Sequence, residues 1–208
     1  EWAENVDNNA FTNAAARANL QFATQAAQLL GITANKDWGD VAANIPILRE
    51  NGVTKEHATY KGEGIKQADV NLLAYPLKEV TDSAQILRDL EYYSARVPNE
   101  GTPAMTQAVF ALLYARLGNA DKAHYWFKDA YIPNLAPPFR VIAETKGGTN
   151  PYFATGAGGI LQSVIMGFGG VEITPQGLTQ IKSVLPKGWK SLTITGTGPE
   201  RKTFTVKP

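Results

Sequence analysis

The chain has 208 residues, 44% of them hydrophobic and 10% aromatic, with a formal net charge of +1. That composition suits one globular domain of ordinary size, or one with a small appendage, and is too apolar for intrinsic disorder. Near-neutral charge without a Lys/Arg tract argues against a nucleic-acid partner, and no apolar run is long enough to cross a bilayer. The absence of cysteine excludes disulfides, zinc–thiolate sites and cysteine nucleophiles. The two histidines, His57 and His124, are too few for most metal clusters and read as structural or surface residues. The chain opens at Glu1-Trp2 without an initiator Met or an apolar leader, so it is expected to be processed or cut from something longer.

Asp7-Asn8-Asn9 is a helix start, because short polar side chains cap free N–H groups. The helix that follows carries Phe11, Ala15, Ala18, Phe22, Ala26 and Leu29 at three-to-four spacing and stops at Gly31. Trp38, Val41, Ala42 and Ile45 give a shorter helix ended by Pro46. A polar segment from about Arg49 to Gly64 reads as a loop, and Ile65 to Tyr75 as helical again. Asp82 to about Ala95 is the next helix. Thr102-Pro103 starts another, with Thr at the cap, which runs to Leu117 and is closed by Gly118. Asn119-Ala120-Asp121 opens a helix through Tyr131. Ala111 to Phe127 resembles half of a tetratricopeptide repeat, but no unit recurs at a fixed period, and a solenoid needs neighbours.

Then comes Asn150-Pro151-Tyr152-Phe153-Ala154-Thr155-Gly156-Ala157-Gly158-Gly159-Ile160-Leu161-Gln162, running on to Gly167-Phe168-Gly169-Gly170. Each glycine in a helix costs roughly 1 kcal/mol relative to Ala, so this density needs a reason. Two are open: a polar or anionic ligand close to a helix N-terminus, or close packing of two helices. From Val171 onward the pattern alternates like strands, at 171–173, 191–195 and 202–206, with turns at 175–177, 186–188 and 196–199. The expectation is a mainly α body over residues 1–168 and a small antiparallel β region over 169–208.

Three segments carry a family resemblance. The first is Glu1-Trp2-Ala3-Glu4-Asn5-Val6-Asp7-Asn8-Asn9-Ala10-Phe11-Thr12-Asn13-Ala14. The second is Ile65-Lys66-Gln67-Ala68-Asp69-Val70. The third is the Gly-rich stretch, continued by Gly177-Leu178 and Leu185-Pro186-Lys187-Gly188-Trp189-Lys190-Ser191-Leu192. In this order they resemble glycoside hydrolase family 65, which holds α-glucoside phosphorylases and related hydrolases. The resemblance implies the C-terminal part of a six-fold (α/α) barrel followed by a β region, with the N-terminal half of the same protein as its missing partner. Faces left open by that half invite association, and a homodimer is a further expectation.

Inverting glycoside hydrolysis needs one carboxylic acid and one carboxylate roughly 6.5–9.5 Å apart, with water between. By resemblance Glu1 is the general acid. Family phosphorylases bind inorganic phosphate where a base would act, through a His-Asp-Ser-Ser-Leu-Ser loop and a further histidine motif. Here the loop looks like Val97-Pro98-Asn99-Glu100-Gly101-Thr102-Pro103, and Phe139-Arg140-Val141-Ile142-Ala143-Glu144-Thr145 stands where the histidine motif would be. A carboxylate there repels phosphate and can deprotonate water, so Glu144 is the expected base and Glu100 its rival. Lys66 and Gln67 match the family pair that holds the glucosyl unit, with donors suited to sugar hydroxyls. The resemblance implies an inverting α-glucosidase acting on a small carbohydrate substrate, with no metal or organic cofactor. The alternatives are a disaccharide phosphorylase and a non-catalytic sugar-binding or scaffold fragment.

Overall fold

A computed structural model describes residues 2–208. The chain divides into two compact units. One holds the residues up to Glu63 together with Asp69–Arg96; the other holds Gly64–Ala68 and Val97–Pro208.

In the first unit α1 spans Ala10–Leu30. Of the three candidate cap residues Asn9 does the work, its side chain accepting from the Thr12 N–H at 2.9 Å. Gly31, at φ 67°, ends the helix in the left-handed conformation that glycine adopts without strain. Helix α2 (Asp37–Asn44) packs on α1. The expected loop after it contains a hairpin: β1 (Arg49–Glu50) and β2 (Val53–Thr54) pair antiparallel. Asn51 and Gly52 both have positive φ, 52° and 79°, as a two-residue primed turn requires. Helix α3 (Ser83–Ser94) is capped by Asp82, which accepts from the Gln85 N–H at 2.9 Å. Leu73, Leu90 and Tyr93 are all but inaccessible in this core.

The helix expected over Ile65–Tyr75 is replaced by bends and a short 3-10 turn at Val70–Leu73. The reason is local. Ile65 and Ala68 are both buried, and the Lys66 carbonyl is satisfied by a hydroxyl from another segment rather than by a helical N–H.

The second unit is built on α4 (Ala104–Arg116). All of its residues except Met105 and Arg116 are buried. Pro103, not Thr102, sits at its cap position. Thr102 instead donates to the Pro98 carbonyl at 3.4 Å, so the expected hydroxyl cap does not form. Helix α5 (Ala120–Tyr131) is capped by Asn119, which accepts from the Lys122 N–H at 3.0 Å, and lays Ala123, Phe127 and Ala130 into the core. A short hairpin follows, β3 (Leu135–Ala136) with β4 (Val141–Ile142).

Helix α6 (Ala154–Gln162) contains the Gly-rich stretch and continues into a π-helical turn over Ser163–Phe168. Thr155 lies in the first turn of α6. A Cβ on Gly156 would stand 3.1 Å from the Ala104 Cβ, one on Gly159 3.2 Å from the Ala108 Cβ, and one on Gly167 3.0 Å from the Leu112 Cα. These glycines let α6 and its extension lie close against α4, so of the two readings it is helix packing that accounts for them.

Two further hairpins complete the chain: β5 (Val171–Thr174) with β6 (Gly177–Gln180), and β7 (Leu192–Thr197) with β8 (Lys202–Val206). The Arg116 guanidinium ties α4 to β5 by pairing with Glu172, and it also donates to the Met166 carbonyl at 3.2 Å. Phe127, Phe168 and Trp189 stack edge-on or tilted, with ring centroids 5.3 to 6.3 Å apart. That cluster joins α5, the π-helical turn and the Pro186–Lys190 turn in one core.

Candidate active site

Four of the five residues singled out from the sequence fall in the second unit: Lys66, Gln67, Glu100 and Glu144. Lys66 and Gln67 are half-buried in a bend between the buried Ile65 and Ala68. Because the backbone there is not helical, the Lys66 carbonyl has no donor four residues on. It accepts instead from the Thr106 hydroxyl at 3.0 Å, and Thr106 is fully buried in the first turn of α4.

Glu144 follows β4 and is half-buried. Its backbone is held on both sides. Its carbonyl accepts from the Ala104 N–H at 2.9 Å, and its own N–H donates to the Asn150 carbonyl at 3.3 Å. The Asn150 side-chain amide donates to the Glu144 carboxylate at 3.2 Å. The loop between them is pinned by Gly147 N–H to the Pro133 carbonyl at 3.0 Å and by a Lys146–Asp129 ion pair at 2.9 Å. Glu100, by contrast, is exposed in a bend beside Gly101 at φ 76°. One of the two rival carboxylates is therefore fixed by its surroundings and the other is open to solvent. Lys66 and Glu144 both reach the first turn of α4, so one helix end brings their backbones together.

Glu1 lies outside the described residues. The segment after it belongs to the first unit and is clamped by backbone bonds: Ala58 N–H to the Asp7 carbonyl at 2.9 Å, and Ala10 N–H to the Glu56 carbonyl at 2.8 Å. The same unit holds a polar cluster that sequence reasoning missed. Asp89, 3% exposed, accepts from the Thr54 N–H (2.9 Å), the Thr54 hydroxyl (2.8 Å) and the Gln85 amide (2.9 Å), while the Tyr93 hydroxyl donates to the Thr54 carbonyl at 2.6 Å. Burial pushes the Asp89 carboxyl above the usual carboxylate range, against those hydrogen bonds, which lower it. Burial likewise raises the Tyr60 and Tyr93 phenols well above their ordinary value, so both stay neutral donors. The signal available in the sequence was Asn51-Gly52, which marks the hairpin that Asp89 holds. Thr106 was also missed, although it and Gln107 are the only polar residues of α4 before its terminal arginine.

Among the described residues, no group of three or more His, Asp or Glu side chains could hold a metal ion, and no helix is long and apolar enough to cross a membrane.

Comparison with known proteins follows the same lines. Residues 53–139 match the family model described as glycosyl hydrolase family 65 central catalytic domain. The chain is 72% identical over all of its length to a kojibiose hydrolase of Mucilaginibacter mallensis, of which it covers 31%. It is 62% identical over 99% of its length to a kojibiose hydrolase of Flavobacterium johnsoniae, of which it covers 30%. The chain thus spans about a third of the length of the curated relatives it matches. A putative kojibiose phosphorylase from the human microbiome has the same fold over 97% of the chain and 33% of its own, with a TM-score of 0.71 at 16% identity. The helices are part of a six-fold (α/α) barrel, and the hairpins β5–β6 and β7–β8 make up an antiparallel β region. From the ordered motifs, the fold and these relatives, the chain belongs to glycoside hydrolase family 65.

Proposed function

We propose that the protein containing this chain is an inverting α-glucosidase that hydrolyses the α-glucosidic bond of small glucosides of the kojibiose type. The observation that carries this reading is the 72% identity to a kojibiose hydrolase along the whole chain. The setting of Glu144 supports it, since a half-buried carboxylate held at backbone and side chain suits a general base better than the exposed Glu100 does. In the same reading the barrel portion runs over residues 1–168 and the β region over 169–208.

The proposed chemistry uses two carboxyl groups. Glu1 protonates the departing glycosidic oxygen as its bond to the anomeric carbon breaks. Glu144 takes a proton from a water that attacks that carbon on the opposite face of the ring. The anomeric configuration inverts, and the products are β-glucose and the free aglycone hydroxyl. Lys66 and Gln67 donate to glucosyl hydroxyls and hold the ring in line for attack.

The test uses the complete enzyme with kojibiose. Proton NMR of the first product should show β-glucose, and turnover should be indifferent to inorganic phosphate. Release of the α-anomer would exclude inversion; dependence on phosphate, with a glucose phosphate as product, would make the enzyme a phosphorylase.

A further inference from the structure

We propose that the first turn of α4 sets the spacing between the sugar-holding pair and the base, with Thr106 as the positioning residue for Lys66 and Gln67. The inference rests on the roles proposed above for Lys66, Gln67 and Glu144. Its starting point is a departure from habit. A threonine inside a helix normally turns its hydroxyl back to the carbonyl one turn earlier. Thr106 sends it 40 residues away in sequence, to the Lys66 carbonyl at 3.0 Å, and it does so with no exposed surface at all.

Two residues earlier on the same turn, the Ala104 N–H is one of the donors that every helix start leaves without an internal partner. It goes to the Glu144 carbonyl at 2.9 Å. The two anchor points are separated by two residues of helix, about 3 Å of rise. They cannot move independently, because α4 is buried almost all round and packed by α5 on one flank and α6 on another. Both tethered segments are otherwise irregular: a bend at Lys66–Gln67 and a loop after Glu144. Irregular backbone holds position only through such tethers. A sugar hydroxyl bond tolerates only a few tenths of an ångström, and a displacement of about 1 Å can cost up to roughly a hundredfold in rate.

Thr106 is too deeply buried to meet the substrate, so its effect must pass through the Lys66 peptide. In the complete enzyme Thr106→Val keeps the shape and removes the donor. The expected result is a rise of roughly tenfold in KM for kojibiose, with kcat changed much less and the pH profile of kcat unmoved. Thr106→Ser should restore most of the affinity. Ala104→Pro removes the other tether while keeping a residue that the first helical position tolerates. It should lower kcat more than it raises KM, because the base moves and the sugar contacts stay.

Equal KM values for wild type and Thr106→Val would overturn the inference. So would a loss that Ser fails to repair and that simply follows a fall in melting temperature. If Thr106→Val does not fold, Thr106→Ala, which also removes the donor, decides the matter through the same split between KM and kcat. Lys66→Ala and Gln67→Ala belong in the same assay. If they leave KM unchanged, the sugar-contact reading itself has failed; if they raise it while Thr106→Val does not, only the positioning role falls.

Discussion

Asp89 is a carboxylate with three donors around it and almost no water, and its raised ionisation range ties stability to pH. A group held above its unfolded value favours the protonated folded state. Its contribution is fully present in acid and declines as pH rises through the raised value. Asp89→Asn lacks that titration, so the stability difference between wild type and variant should be largest in acid and shrink toward neutral pH. Urea unfolding of both proteins across that range measures it, and a difference independent of pH would remove Asp89 as its source. The rival carboxylates differ in the same physical sense. Glu144 is oriented by Asn150 and anchored to α4, whereas Glu100 sits on an exposed bend. In the complete enzyme Glu144→Gln should lower kcat by about 10²- to 10⁴-fold, the usual worth of a positioned base, while Glu100→Gln should leave it nearly unchanged. Steady-state kinetics on kojibiose decide it, and the reverse ranking would transfer the role to Glu100.

At the scale of elements, the contact of α6 with α4 makes the glycines unequal. Gly159 and Gly167 face α4 at distances where a methyl group meets a neighbouring atom at 3.2 and 3.0 Å, the latter a backbone carbon. Alanine at either position should destabilise by about 1–3 kcal/mol, more at Gly167, whose neighbour cannot rotate away. Gly158 has open space, and alanine there should stabilise by roughly 0.5–1 kcal/mol through helix propensity alone. Denaturation midpoints of the three variants check the ordering. The sequence could reveal that these glycines were needed but not which neighbour they served, because that depends on a contact between helices far apart in the chain. Helices whose ends are set locally were legible to within a residue or two. Asn9, Asp82 and Asn119 each cap with their own side chains, and Gly31 and Gly118 terminate by taking positive φ. Elements decided by distant partners were misread. Lys66-Gln67-Ala68 has helical propensity, yet burial of Ile65 and Ala68 and the tether from Thr106 hold it open. The candidate site was readable only as residue types: Lys66, Gln67 and Glu144 stand out as polar or charged, whereas Thr106 and the Ala104 amide, which bond the Lys66 and Glu144 backbones, do not.

At the scale of the whole molecule, the apolar stripe of α1 is left largely uncovered in this chain. The spacing predicts one face through Phe22, Ala26 and Leu29, and amphipathic helices bury such a face. Here Phe22 is 69% exposed and Leu29 88%, and Leu30 and Ile32 beside them are 73% and 61% exposed. A patch of large apolar side chains concentrated at one helix end marks an interaction surface rather than scattered surface residues. The chain spans about a third of its relatives' length, so the remaining polypeptide is the natural cover for that face in the complete protein. Expressed by itself, the 208-residue chain should therefore associate as concentration rises, with a light-scattering mass above 22.5 kDa. Replacing Phe22 and Leu29 together by serine should return it toward that mass. If the remaining polypeptide covers this face, the same pair should lower the melting temperature of the complete protein, because the substitution then removes packing. The isolated chain should also fail to turn over kojibiose measurably, with or without the serines, since its part of the barrel leaves the sugar without the remaining wall. A monodisperse monomer at every concentration, or turnover by the isolated chain, would show that this third of the protein is self-sufficient and that the exposed stripe of α1 serves something other than closure of the barrel.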